Sequence, residues 1–139
     1  METKSVDLQA FRQEVRAFIE QEADESIREA GRKMTSFFPP FEQCMRWHRK
    51  LHARGWSAAS WPEQYGGPGW SREQKRIFEE ECRIAGVPRL LPQGLGMVGP
   101  AIMKFGTDEQ KRRFLPGIAS GEDFWAQGYS EPNAGSDLA

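Results

Sequence analysis

Gly94-Leu95-Gly96-Met97-Val98-Gly99 reproduces the G-x-G-x-x-G spacing of a dinucleotide-binding turn, in which glycines let a pyrophosphate approach the backbone at a helix N-terminus. The surroundings reject that chemistry. The fingerprint needs a strand to deliver its glycines, whereas Leu90-Leu91-Pro92-Gln93 precedes them, with Pro92 breaking any ladder and Pro100 following at once. No acidic residue stands about 20 positions beyond at the end of a second strand. The small residues are instead suited to let another backbone, or a ligand chain, lie close against this segment. Gly66-Gly67-Pro68-Gly69 lacks the Gly-Lys-Ser/Thr of a phosphate loop. His48 and His52 share a helical face at a spacing that can hold zinc, but Arg49, Lys50 and Leu51 lie between them. No glutamate general base is present there and the adjacent cations repel a metal, so both read as partly buried helix histidines and no metal is expected. No Ser/His/Asp or Cys/His arrangement has an orienting carboxylate. Cys44 and Cys82 have no C-x-x-C partner and fall on helical positions that take a small apolar residue, which reads as two reduced core thiols.

The chain that must position these residues has 139 of them, enough for one domain with a core of its own. With 38% hydrophobic and 28% charged residues, it has too many apolar anchors for a disordered tail and too much charge for a membrane protein. Lys and Arg number 19 against 20 Asp and Glu, so no positive excess draws the chain to nucleic acid or anionic lipid. Met1 to Asp7 lacks a secretory apolar core and no stretch is long enough to span a bilayer, which sets the expected address as cytoplasmic.

Val, Ile and Thr are scarce and no window alternates apolar with polar, so the expected class is all-α. Asp7 caps a first helix with Leu8, Phe11, Val15 and Phe18/Ile19 on one face. Glu22 to Lys33 reads as a second short helix. After Pro39-Pro40, a third carries Phe41, Cys44/Met45, His48 and Leu51/His52 and ends at Gly55. An aromatic loop follows with Trp56, Trp61, Tyr65 and Trp70. Ser71 with Gln74 forms a capping box opening a helix through Ile77, Phe78, Cys82 and Ala85, closed by Gly86-Val87-Pro88. Leu95 to Phe105 is an apolar run that reads as a buried helix ended by Gly106. Thr107 with Gln110 opens a last helix expected to stop near Leu115, before Pro116. The basic runs Arg46/Arg49/Lys50/Arg54 and Lys111-Arg112-Arg113 read as solvated faces, balanced by Glu79, Glu80 and Glu81. Phe124 to Ser130 is the best strand candidate, and Glu131 to Asp137 a tight loop. A lone strand must pair elsewhere or stay loosely ordered.

Three segments carry a specific likeness: Trp61-Pro62-Glu63-Gln64-Tyr65-Gly66-Gly67-Pro68-Gly69, Phe105-Gly106-Thr107-Asp108-Glu109-Gln110-Lys111, and Gly128-Tyr129-Ser130-Glu131-Pro132-Asn133-Ala134-Gly135-Ser136-Asp137-Leu138-Ala139. In order and spacing they resemble the amino-terminal region of the acyl-CoA dehydrogenase family, over nearly the whole chain from about Val6. The resemblance implies an amino-terminal helical domain over residues 1–123 and, over 124–139, a truncated start of a middle β-domain. It implies FAD held between domains, usually across a subunit contact, and a carboxy-terminal helical bundle that follows. By the same likeness, Gln127, Gly128, Tyr129, Ser130, Gly135 and Ser136 are the cofactor-binding positions. Ser130 and the backbone near Tyr129 would bond the flavin's polar edges, and Gly135 with Ser136 would present a donor nest. Ser136 would also touch the thioester ligand, and Leu91 to Pro100, with Gly96 and Met97, would match the acyl pocket.

The implied reaction is α,β-dehydrogenation of an acyl-CoA: a glutamate takes the α-proton, the β-hydride goes to flavin N5, and hydrogen bonds to the thioester carbonyl stabilise the enolate-like charge. No residue here matches that base, so no catalytic residue is assigned and the chain alone is expected to be inactive. The implied partners are an acyl-CoA substrate, an electron-accepting flavoprotein, and other subunits in a homo- or hetero-oligomer. The alternative is a non-catalytic helical module that pairs with a full-length dehydrogenase-like subunit, with the apolar strand and the loop from Trp56 to Trp70 as its interface.

Overall fold

The computed structural model describes residues 7–34 and 40–136. Residues 1–6, Pro39 of the Pro-Pro interruption and the terminal Asp137-Leu138-Ala139 therefore lie outside the described residues. Among the described residues the chain is helical: α1 (Leu8–Glu22), α2 (Glu25–Arg32), α3 (Phe41–Arg54), a 3₁₀ turn (Glu63–Tyr65), α4 (Arg72–Ala85), a π turn (Gln93–Val98), α5 (Gly99–Phe105) and α6 (Asp108–Ser120).

Local chemistry sets most of these boundaries. The Asp7 carboxylate accepts from the amides of Gln9 at 2.9 Å and Ala10 at 3.1 Å, satisfying donors that the first turn of α1 leaves open. Asp24 does the same for α2 through Ile27. Arg28 reaches back to the carbonyls of Ala23 and Ile19, placing a cation at the C-terminus of α1. Both expected capping boxes form, at Ser71/Gln74 and Thr107/Gln110.

Two apolar clusters hold the helices together. The first joins Phe11, Val15 and Ile19 of α1 to Trp47 and Leu51 of α3 and to Ile77 and Phe78 of α4. Trp56 and Trp70 enter it from the aromatic loop, with ring centroids 5.3 Å apart and Trp70 a further 5.0 Å from Phe78. The second gathers Ala58, Trp61, Leu115, Ile118 and Ala119. The loop's indoles thus pack inward, with Trp56 and Trp61 buried and Trp70 half-buried, so within the interface expected from Trp56 to Trp70 these rings serve the core rather than standing outward. An indole in this loop gains more by edge-to-face packing and desolvation than by standing in water.

Ion pairs tie the helices from outside. Lys50 meets Glu22 at 2.7 Å, Arg46 pairs with Asp24, and Arg54 meets Glu14 at 2.5 Å. The basic face of α3 is therefore partly consumed in fastening α1 and α2. Glu81 departs further from the solvated reading. It is buried, and accepts from Arg12 and from Arg16 at 2.7 and 3.1 Å, while Arg12 also reaches Glu80 at 2.9 Å. These bonds, Arg16 foremost, hold its carboxyl below the usual carboxylate range against the opposing effect of burial.

Three further expectations change. Helix α6 continues through Pro116 to Ser120, because Leu115, Ile118 and Ala119 bury on one side while Pro116 stays exposed on the other. That burial outweighs the roughly 3 kcal/mol an interior proline costs. The apolar run Leu95 to Phe105 is helical but not buried: Met97 is 45% and Phe105 78% exposed. Phe124 to Ser130 forms no strand, having no neighbour to pair with, and the segment takes the loop form.

Because the Glu81 carboxyl is lowered on folding, its contribution to stability is present at neutral pH. That contribution is lost as pH falls from about 4.3, the unfolded value, through the folded value. Glu81→Gln is expected to lower stability by about 2 kcal/mol at pH 7 and to flatten the acid limb of the stability curve. Urea titrations at pH 7 and below pH 4 check both, and an unchanged acid limb would refute the assignment.

Candidate functional site

Trp61 builds the site from beneath. Its Nε1–H donates to the Leu95 carbonyl at 2.8 Å, and its six-membered ring lies so close to Gly99 that a Cβ there would stand 2.2 Å from Cζ2. The Leu95 carbonyl would ordinarily receive the Gly99 amide in an α-helix. Gly99 N–H bonds to Gly94 O instead, five residues back, which widens the turn to π geometry. Pro100 has no N–H to compete for Leu95 in that register. The glycines that imitate a dinucleotide fingerprint therefore serve an indole. Gly94 and Gly99 are buried contact points, whereas Gly96 and Met97 face outward, with only Pro92 within 4 Å of where a Gly96 side chain would begin.

The segment after α6 starts on the same platform. Trp125 lies against Gly94, its Cδ1 3.5 Å from the position a Cβ would take, and meets Phe114 edge-on at 5.7 Å. Phe124 pairs with Phe41 at 5.4 Å. Beyond them Gln127, Gly128, Tyr129, Ser130, Gly135 and Ser136 are all exposed. Glu131 and Ala134 exchange bonds of 2.8 and 3.2 Å across Pro132-Asn133, closing a tight turn. The Leu91–Pro100 segment thus meets the tail at Gly94 with Trp125, ahead of the expected cofactor positions. Neither residue is among the expected site positions; the adjacent aromatics Phe124-Trp125, opening a tail that is mostly small and polar, were the available signal.

Elsewhere, His48 is buried, its Nε2 2.9 Å from the Ala119 carbonyl, and Ser57 donates to the same carbonyl at 2.7 Å. Burial pulls the His48 pKa down, keeping it neutral at physiological pH. His52 is exposed and within 3.4 Å of Ser57 Oγ, so the two histidines do not converge. Among the described residues no three His, Cys, Asp or Glu side chains gather around one point. Burial pushes the Cys44 thiol up to about 11 and the Cys82 thiol up to about 12, so neither is a nucleophile at neutral pH. A groove of about 660 Å³ runs between α6 and the 3₁₀ turn, with Tyr65, Leu115 and Pro116 beside Lys111 and Arg112. None of the expected site residues lines it.

Residues 5–122 match the family model described as acyl-CoA dehydrogenase, N-terminal domain. The chain belongs to the acyl-CoA dehydrogenase family. It is 38% identical over 140 residues to acyl-CoA dehydrogenase IpdE1 of Mycobacterium tuberculosis, covering 96% of this chain and 35% of that protein. Among solved structures it is similar to the Tcur3481-Tcur3483 steroid ACAD, with a TM-score of 0.73 at 36% identity over 97% of this chain and 34% of that one. The ChsE4-ChsE5 complex from Mycobacterium tuberculosis gives 0.68 at 37% identity, over 99% of this chain and 34% of that one. The chain therefore spans about a third of the length of these relatives. Its helical architecture is that of the acyl-CoA dehydrogenase N-terminal domain. No helix among the described residues is long and apolar enough to cross a membrane.

Gly99→Ala and Gly96→Ala separate the two uses of glycine in this turn. The first drives a methyl into the Trp61 ring and is expected to cost about 2 kcal/mol. The second meets open space and is expected to be neutral or stabilising by about 0.5 kcal/mol. Thermal and urea unfolding of both variants read the contrast, and equal costs would overturn the Trp61 account.

Proposed function

We propose that this chain is the N-terminal domain of an FAD-dependent enzyme that dehydrogenates an acyl-CoA thioester between its α and β carbons. Residues 1–123 form the helical domain and 124–139 begin the middle β-domain. The observation that carries the reading is the run Gln127 to Ser136. Small residues and hydroxyls stand exposed there, outside any helix, on a segment anchored by Trp125 against Gly94 of the π turn. A planar ring system needs such a surface: no bulky side chain intervenes at Gly128 or Gly135, and Ser130 and Ser136 bring hydroxyls that donate or accept. The residues present fit an isoalloxazine edge in kind.

When bound, the flavin supplies the acceptor for the substrate's β-hydride. The chain's own part is to hold and to shape. Ser130 and the Tyr129 backbone would bond the ring's polar edge. Gly135 and Ser136 would face the cofactor, with Ser136 also toward the thioester, and Gly96 with Met97 would leave a path for the acyl tail. The base that takes the α-proton is assigned to a region outside this chain, so the chain acts within a homo- or hetero-oligomer or a longer polypeptide. The naming of the solved neighbours as two-component assemblies supports that arrangement. Transfer of electrons onward to a flavoprotein acceptor belongs to the same reading.

Flavin absorbance tests it. The purified chain alone is expected to hold no stoichiometric FAD, whereas the assembly in which it works binds FAD that acyl-CoA bleaches. In that assembly Ser130→Ala is expected to weaken FAD retention roughly five- to tenfold, the loss of one hydrogen bond. Tight FAD binding by the chain alone, or unchanged retention in Ser130→Ala, contradicts the proposal.

A further inference from the structure

Where α6 ends, one carbonyl gathers the chain. Gly117 O receives the Gly121 amide at 3.1 Å, the Asp123 amide at 3.1 Å and the Ser120 hydroxyl at 3.2 Å, and the Ser120 oxygen in turn accepts the Glu122 amide at 3.3 Å. Gly121 turns the backbone through the left-handed region at a φ of 81°. On the bare Cα of Gly117 lies the Asp123 carboxylate: a Cβ there would stand 2.3 Å from its Oδ2. Arg113, one turn earlier on α6, reaches the same oxygen at 3.6 Å.

The residues that follow take alternate sides. Asp123 sits on α6, Phe124 crosses to Phe41 of α3 at 5.4 Å, and Trp125 returns to Phe114 of α6 at 5.7 Å and to Gly94. That is the period of an extended chain, with helices on its two sides in place of neighbouring strands. A slip of one residue in leaving α6 would exchange the sides of the two rings. Asp123 sets the count, because its amide and its carboxylate both end on Gly117.

We propose that Asp123 is a positioning residue for the run Gln127 to Ser136, fixing through its seat on Gly117 the side from which that run leaves the helical domain. The consequence for cofactor binding rests on the proposed flavin reading; the seat itself does not.

Substitutions at the seat separate tail order from domain stability. In Gly117→Ala the methyl displaces the carboxylate, while the helix gains by losing an interior glycine. The thermal midpoint of this variant is expected to hold or rise. Exchange of the residue-123 amide and of the buried Trp125 indole proton is expected to become about fivefold faster, read by nuclear magnetic resonance of the ¹⁵N-labelled chain. Asp123→Ala is expected to loosen the tail equally, and Asp123→Asn to restore it, since the shape and the backbone amide stay and the exposed pair with Arg113 contributes little. Gly117→Ala combined with Asp123→Ala should exchange no faster than either alone. In the FAD-loaded assembly, the visible circular dichroism of the flavin is expected to change in Asp123→Ala and to return in Asp123→Asn. Unchanged exchange in Gly117→Ala or in Asp123→Ala overturns the seat. Faster exchange with an unaltered flavin spectrum overturns the positioning role alone, whereas an assembly without FAD overturns the flavin reading and that role together and leaves the seat to the exchange data.

Discussion

The contact on which this domain's functional surface depends is the indole of Trp61 set into the space that Gly99 leaves open. One side chain there does three things: it fills the second apolar cluster, it donates to the Leu95 carbonyl, and it takes the space a side chain at Gly99 would need. With the Gly99 N–H bonded to Gly94 and Pro100 lacking an N–H, the Leu95 carbonyl has no donor from the helix ladder, and the Trp61 indole supplies one. On the same turn Gly96 and Met97 face outward.

The division of labour between the two clusters follows from the same loop. Trp56 and Trp70 turn toward α1 and α4, and Trp61 turns toward α6, so a stretch with little regular structure ties both cores. On the far side, Glu81 with Arg12 and Arg16 fastens α1 to α4, and Lys50 with Glu22 fastens α3 to the end of α1. What these elements present to the tail is a small platform of Gly94, Phe114 and Ile118 under Trp125.

Much of this was legible in the sequence because its cause is local. Capping boxes at Ser71 and Thr107, the Asp7 cap and the helix ends at Gly55 and Gly86 are decided within a few residues, and each formed where the spacing placed it. What was not legible depends on partners far along the chain. Glu81 reads as solvent-facing until Arg12 and Arg16, some 65 residues earlier, close over it. Pro116 reads as a helix stop until the burial of Leu115 and Ile118 outweighs it. The inward turn of the loop's tryptophans and the π geometry at Gln93–Val98 likewise require knowing what Trp61 touches. The family was legible from three segments; the junction of Gly94 with Trp125, where the Leu91–Pro100 segment meets the tail, was not.

The most direct measurement is a structure of the working assembly that contains this chain, with FAD and a non-reacting acyl-CoA analogue bound. The account predicts the isoalloxazine ring against Gln127 to Ser136, with the acyl tail passing Gly96 and Met97 on the open side of the π turn. A flavin seated elsewhere, with that segment buried against another helix or turned to solvent, would contradict it.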